Sequence, residues 1–466
     1  MKYIIKGHSE RYILQTTSQI FYPKESFIEV FNTKEEGFII ESIKNNNFIL
    51  SNLYKNGDLI ARHSEEIKDL KYSIKKSLFL LLQSYTGYMP KWGMLTGIRP
   101  AKFIGSFFPN EYSYIKNIIM NDYFITEEKF DLAYKVAIAE NNILSKRAPN
   151  LNSLYIGIPF CPSKCKYCTF TSCEVSKYQK KGIVDIYLEK LIEEIKWFGI
   201  NFPSPYTIYI GGGTPTSLNE NQLYLLMESI YKYIDLKQTV EFTVECGRPD
   251  TITKEKLKII KNVSRISINT QTVHNKTLKI IGRNHNYNDF CKSYELGNIM
   301  GFKNINIDLI AGLPQETAKD FEKTMEEITK LKPHSITIHS LSIKRGSHLS
   351  LENTNYFEDI KTIDEMLKIG SIYTKKINLE PYYMYRQKNT IGCNENVGYS
   401  RKNNHCIYNV EIMEDKQSII GLGAGSTSKR VFLDTNKLER CFNFKNVEEY
   451  IKRFNEQIIR KENLFL

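Results

Sequence analysis

No run of apolar residues in this 466-residue chain approaches the length of a membrane span. The longest strongly apolar stretch is LFLLL, 78–82, against the ~20 residues a bilayer-crossing helix needs. The opening MKYIIKGHSERY has no apolar core of the secretory kind. A soluble, cytoplasmic protein with no membrane span is the expectation. The cysteines do not suit a disulfide set. There are nine, an odd number, and several are clustered, a pattern that in a cytosolic protein points to metal binding or catalysis. No Arg-rich run or RNA-binding fingerprint is found, so no nucleic-acid partner is expected. The formal net charge of +12 then reads as a lysine-rich solvated surface, with a polycarboxylate ligand as the competing reading. Low-complexity tracts are missing as well. What is there is 41% hydrophobic residues, enough for a large core, and a length that suggests about three domains.

Residues 1–63 hold short alternating runs such as SFIEVF and GFIIESI between Asn, Gly and Lys turns, which predict a small sheet. Between Glu65 and Tyr85, residues Ile67, Leu70, Ile74, Leu78, Leu81 and Tyr85 share one helical face. The segment PKWGMLTGIRPAK is a tight turn. Two more helices follow, the second being TEEKFDLAYKVAIAENNIL with Thr126 as its start signal. The polar SKRAPNLNS, 145–153, reads as a linker. From Leu154 strands alternate with helices. The strands are placed at 154–158, 206–210, 239–245, 264–268, 303–309 and 334–341, with helices such as Ile183–Trp197 and Asn219–Ile234 between them. This order implies parallel strands in right-handed units. The expectation is an α/β protein: an incomplete (β/α)6 TIM-like barrel over 149–378, with chemistry at the C-terminal strand ends. An α+β domain at 1–148 precedes it. A mixed α/β extension at 379–466 follows, carrying the glycine-rich IIGLGAGSTSK and a final helix near 446–462.

Cys161, Cys165 and Cys168 form C-x3-C-x2-C directly after the first barrel strand. Thiolates suit iron–sulfur clusters or zinc. A structural zinc wants four ligands, and Cys173 is the nearest fourth thiol. Three thiols leave one iron of a cubane without a protein ligand, and an open position can take a small molecule. The next strand ends in YIGGGTPTS, where Gly211–Gly213 allow close approach of a ligand to the backbone. Together the two motifs resemble the radical S-adenosylmethionine superfamily. There a 4Fe–4S cluster binds S-adenosylmethionine at its open iron and cleaves it to methionine and a 5′-deoxyadenosyl radical.

The later strand ends, VECGRPDTI, RISINTQT, NIDLIAGLPQET and ITIHSLSIKRGS, narrow the resemblance to the oxygen-independent coproporphyrinogen III oxidases (dehydrogenases). The N-terminal WGMLTGIRP resembles their longer Z-type form. The resemblance implies these roles: Cys161, Cys165 and Cys168 as cluster ligands; Tyr155 and Tyr167 beside the cluster against the nucleoside; Gly212, Gly213 and Thr214 on S-adenosylmethionine. Glu245, Gln271, Arg283 and Asp308 are polar strand-end groups, and Ser342 matches a small residue near a second cofactor position. It implies oxidative decarboxylation of coproporphyrinogen III propionates to vinyl groups, giving protoporphyrinogen IX in haem biosynthesis. The partners it implies are a tetrapyrrole substrate and a reductant such as flavodoxin or ferredoxin. Arg345 and Arg386 are the candidates for the substrate carboxylates, since Arg binds carboxylates bidentately. The chain departs from the better-known form in having Gly157 where that form has His, and TFTSC after Cys168 where that form has a fourth Cys in C-x-C. Cys173 is expected to be a spare thiol. A second metal site at Cys393, His405 and Cys406 is a competing reading of that loop. The alternatives are another radical enzyme acting on a tetrapyrrole, or a haem chaperone. A related chaperone has a Trp in its tail that RKNNHCIYN lacks.

Overall fold

The computed structural model describes residues 1–23, 25–342, 356–387, 394–435 and 437–466. It contains two compact units, Met1–Tyr134 and Lys135–Leu466. In the first, a five-stranded sheet is built from Lys2–Lys6, Ile28–Glu29, Phe38–Asn45, Phe48–Lys55 and Asp58–Glu66. The alternating runs fold as expected, with one correction: Arg11–Phe21 is a helix within the stretch read as sheet alone. It buries Leu14, Thr17, Ser18 and Phe21, at i, i+3, i+4 and i+7, which is a helical period. The helix expected from Glu65 starts at Leu70, because the last strand runs on to Glu66. Asp69 caps it by accepting from the Tyr72 N–H at 2.8 Å. Leu14, Phe21, Ile40, Leu53, Leu78 and Phe79 share this unit's core.

The second unit carries the predicted barrel strands at Ser153–Ile158, Thr207–Gly212, Glu241–Glu245, Arg265–Ser267, Ile305–Ala311 and Ser335–Ser340. They pair in parallel, in chain order. Helices lie between them, and those after the second, fourth and fifth strands open on capping boxes at Asn219/Gln222, Asn286/Asp289 and Thr317/Asp320. The sheet stays open. Beyond the sixth strand it continues antiparallel through Glu395–Ser400 and Glu380–Arg386. Beyond the first it continues through Ile419–Leu422, parallel, then Thr427–Phe432 and Lys437–Phe442. The C-terminal segment therefore supplies strands to both edges. The helix expected near 446–462 is two, Val447–Lys452 and Phe454–Phe465, broken at Arg453. Among the described residues no helix is long and apolar enough to cross a membrane.

One buried ionic cluster ties the tail to the barrel. Glu194, on the helix Ile183–Asn201, accepts from Gly423 N at 2.6 Å, Tyr450 Oη at 2.7 Å, Asn443 Nδ2 at 2.9 Å and Lys461 Nζ at 2.5 Å. Glu194 and Lys461 are both fully buried. The carboxylate is thus surrounded by donors, the condition under which a buried charge is tolerated.

Candidate active site

At the C-terminal ends of the parallel strands lies a cavity of about 510 Å³. Its wall includes all three thiols of C-x3-C-x2-C, together with Gly212, Gly213, Thr214, Glu245, Gln271, Arg283, Asp308 and Ser342. The cysteine loop is held by backbone bonds. The Gly213 N–H donates to the Ile158 carbonyl at 2.8 Å and the Thr214 N–H to the Phe160 carbonyl at 2.7 Å. A Cβ on Gly213 would stand 2.5 Å from that Phe160 oxygen, so glycine is required there for close approach. The Thr214 hydroxyl lies 3.6 Å from Cys161 Sγ. Burial pushes the Cys161 thiol up and the Cys168 thiol to about 11. Among the described residues no three His, Cys, Asp or Glu side chains converge on a point for a single ion. Thiolates set apart around one cavity suit a cluster in which each takes a different iron. Cys173 is off the cavity wall. Its strand pairs with Phe160–Cys161, and its N–H donates to the Pro159 carbonyl at 2.7 Å. Cys406 donates to Glu241 at 3.5 Å and His405 packs on Tyr382. Cys393 and Arg345 lie outside the described residues.

Two carboxylates line the same cavity. Glu245 accepts from the Tyr209 hydroxyl. Burial, with Asp308 nearby, raises its carboxyl to about 7 against the pull of that hydroxyl. Asp308 accepts from Asn269 Nδ2 and Asn306 Nδ2, each at 2.7 Å, and lies 3.8 Å from His339 Nε2. Burial acts to raise it, but His339 and Asn306 hold it below the usual carboxylate range. Gln271 sits at φ +73°, its backbone bridging to the fifth strand, with Oε1 buried. That oxygen and Ser342 Oγ are buried and unpartnered among the described residues. Both therefore fit a missing polar ligand. Arg283 donates to the Asn269 and Gly247 carbonyls and keeps Nε without a partner. Tyr167 lines the cavity beside Arg283.

Tyr155 and Arg386 sit off the cavity wall. Tyr155 joins a stack with Tyr209 and Tyr408, at centroid separations of 6.2 and 6.1 Å. Its hydroxyl lies under Gly212, where a Cβ would come within 3.1 Å. Arg386 is buried between Tyr385 and Gln387, which do line the cavity. The sequence reading passed over several groups here: Arg248, Asn269, His339 and Tyr385. His339 accepts or donates at Nδ1 to the Tyr385 hydroxyl at 3.3 Å. Its signal was available, because Thr337 and His339 interrupt an apolar strand at alternate positions, the period of one sheet face.

Residues 155–328 match the family model of the radical SAM superfamily. Over 419 residues the chain is 39% identical to the oxygen-independent coproporphyrinogen-III oxidase-like protein HemZ of Bacillus subtilis, covering 86% of this chain and 83% of that one. The chain belongs to the radical SAM superfamily, among these oxidase-like proteins. It is also 30% identical to the heme chaperone HemW of Lactococcus lactis, over 67% of this chain and 78% of that one. The solved coproporphyrinogen III oxidase (HemN) of Escherichia coli shares the fold: TM-score 0.52 at 19% identity, covering 69% of this chain and 72% of that one. The superfamily works with a 4Fe–4S cluster and S-adenosylmethionine. The cavity's three thiols and unpartnered polar atoms fit both groups.

Proposed function

We propose that this radical SAM protein carries out the oxygen-independent oxidative decarboxylation of coproporphyrinogen III, turning two propionates into vinyl groups and yielding protoporphyrinogen IX. The observation that carries this reading is one cavity lined by the three thiols of C-x3-C-x2-C together with Glu245, Gln271 and Asp308, in a chain similar to an oxidase-like protein along most of its length. Cys161, Cys165 and Cys168 would hold the cluster. Gly212, Gly213 and Thr214 would present backbone to S-adenosylmethionine, with Glu245, Gln271, Arg283, Asp308 and Ser342 as polar partners and Tyr167 and Tyr155 beside and beneath. Bound there and reduced by a carrier such as flavodoxin or ferredoxin, the cluster and S-adenosylmethionine would supply the one-electron chemistry: a hydrogen atom leaves the propionate β-carbon and ends on 5′-deoxyadenosine, carbon dioxide departs, and the remaining electron goes to an external one-electron acceptor, leaving the vinyl group. The chain's own part is to bind, orient and exclude water. Exclusion of water from a cavity at the strand ends strengthens each polar contact inside it. Arg345 is proposed for the substrate carboxylates; Arg386, expected to share that role, is buried and turned from the cavity wall that Tyr385 and Gln387 line, and is left out of it.

The experiment is anaerobic. The reconstituted, reduced protein is given S-adenosylmethionine and coproporphyrinogen III, and 5′-deoxyadenosine and vinyl product are followed together. Both should form. Deoxyadenosine without a vinyl product would refute the substrate assignment and keep the radical chemistry. A second reading, haem binding and delivery, is favoured by the similarity to a heme chaperone. Stoichiometric haem binding with no turnover would select it.

A further inference from the structure

Arg248 is buried, and all arms of its guanidinium are occupied. Nε and Nη2 fork onto the Asp250 carboxylate at 3.0 and 2.9 Å. Nη1 donates to the Ser163 carbonyl at 3.1 Å, to Ser163 Oγ at 3.2 Å and to Cys165 Sγ at 3.6 Å. One buried cation thus reaches both the loop backbone and a thiol of that loop. The other two thiols keep different company. Cys161 faces the Thr214 hydroxyl, and Cys168 meets the Phe170 backbone. His285 lies beside Asp250 at 3.9 Å. Burial and Arg283 push its ring down to about 3, so of Arg248, Asp250 and His285 only the arginine is positive at neutral pH.

We propose that Arg248 tunes the cluster: by donating to the Cys165 thiolate it stabilises the charge added on reduction and raises the midpoint potential. The inference rests on the assignment of Cys161, Cys165 and Cys168 as ligands. The step concerned is a one-electron reduction by an external low-potential carrier. The electron adds to the cluster, and no bond in the protein forms or breaks. Hydrogen bonds to ligand sulfur are among the levers that set such potentials, and a charged donor is about twice as strong as a neutral one. Arg248 lines the cavity, but its donors are taken up by Asp250, Ser163 and Cys165, so it acts through the Cys165 thiol and is a positioning residue.

The test compares the wild type with Arg248→Gln, Arg248→Lys and the double variant Arg248→Gln/Asp250→Asn, which relieves the carboxylate left without its fork. Each whole chain is reconstituted anaerobically. Iron content is read first, then the midpoint potential by redox titration with electron paramagnetic resonance. With about four irons per chain retained, Arg248→Gln and the double variant should be at least tenfold harder to reduce, about 59 mV lower for one electron. Arg248→Lys should fall between. A change under tenfold in the two Gln variants overturns the proposal. So does failure of all three to take up iron while circular dichroism shows them folded, because Arg248 would then only shape the loop. Full iron in Cys165→Ala would instead sink the ligand assignment.

Discussion

Adding one methyl group at Gly213 should cost both stability and the cysteine loop. A Cβ there would lie 2.5 Å from the Phe160 oxygen, 2.8 Å from the Ile158 oxygen and 2.8 Å from the Phe160 nitrogen. All three are main-chain atoms of the segment that leads into Cys161. Ordinary contact begins near 3.4 Å, so the two segments must part by about 0.9 Å. That opening breaks the bonds from Gly213 N–H to Ile158 and from Thr214 N–H to Phe160. Each is worth about 1 kcal/mol, and overpacking adds about 1–3 kcal/mol. Gly213→Ala should therefore lose about 3 kcal/mol or more in urea unfolding, and its iron loading should fall with it. Gly211→Ala is the contrast. Its Cβ would meet Glu245 Oε2 and Tyr209 Cε1, both at 2.8 Å, and side chains can move. It should cost only about 1–2 kcal/mol, load iron normally and bind S-adenosylmethionine poorly because Glu245 is displaced. If Gly213→Ala unfolds within 1 kcal/mol of wild type with full iron, the account of why this motif is glycine is wrong.

The other expectations are read by separate measurements. Lys461→Met strands the buried Glu194 and should destabilise the second unit by about 3–5 kcal/mol, with partial rescue by Glu194→Gln in a double-mutant cycle of urea midpoints; additive effects would deny the pairing. Glu245 is protonated below about 7 and anionic above, and an anion favours a sulfonium. Affinity for S-adenosylmethionine by calorimetry should thus rise with pH through about 7 and be flat in Glu245→Gln. The same raised value means that this carboxyl's contribution to stability is full below the ordinary carboxylate range and is lost as pH rises through about 7. Tyr209→Phe removes the hydroxyl that lowers Glu245, so the midpoint of that pH profile should move upward. Replacing Cys161, Cys165 or Cys168 with Ala should abolish deoxyadenosine formation, whereas Cys173→Ala should retain it; the reverse outcome would change the ligand count.

The parallel strands were legible because each is a short apolar run closed by a glycine or polar motif, and because they alternate with helices. Their observed ends differ from expectation by at most two residues. The helix Arg11–Phe21 was hidden by Thr16, Thr17 and Ser18 at its centre, residues of weak helical preference that tertiary packing overrides. Arg248 lies within VECGRPDTI, but its role is not legible there, since it depends on Ser163 and Cys165, more than eighty residues earlier. Asn269 was missed for a similar reason: it orients Asp308 across a strand boundary, accepting from its N–H at 3.0 Å while donating to its carboxylate. Contacts of this kind come from the sheet register, which the local pattern does not encode. Gln271 was noticed, but its left-handed backbone was not foreseen, because φ above zero is unusual for such a residue.

Gly157, the clearest departure from the better-known oxidase, has a packing cause. A Cβ there would come within 3.2 Å of the Ala424 oxygen and 3.4 Å of the Leu422 oxygen. Its own carbonyl accepts from Tyr187 Oη at 2.6 Å, and that hydroxyl in turn accepts from the Ala424 N–H. Gly423 approaches so closely that its Cβ would lie 2.4 Å from the Gly157 oxygen, and Glu194 holds the Gly423 N–H. The glycine-rich tail loop and the end of the first strand therefore demand small residues of each other. A side chain at 157 would require the Ala424 carbonyl to give way by a few tenths of an ångström. On the sheet's other side the tail strand Glu380–Arg386 brings Tyr385 to the cavity wall against His339, which in turn faces Asp308. Residues of the tail thus bear on the site from both edges of the sheet.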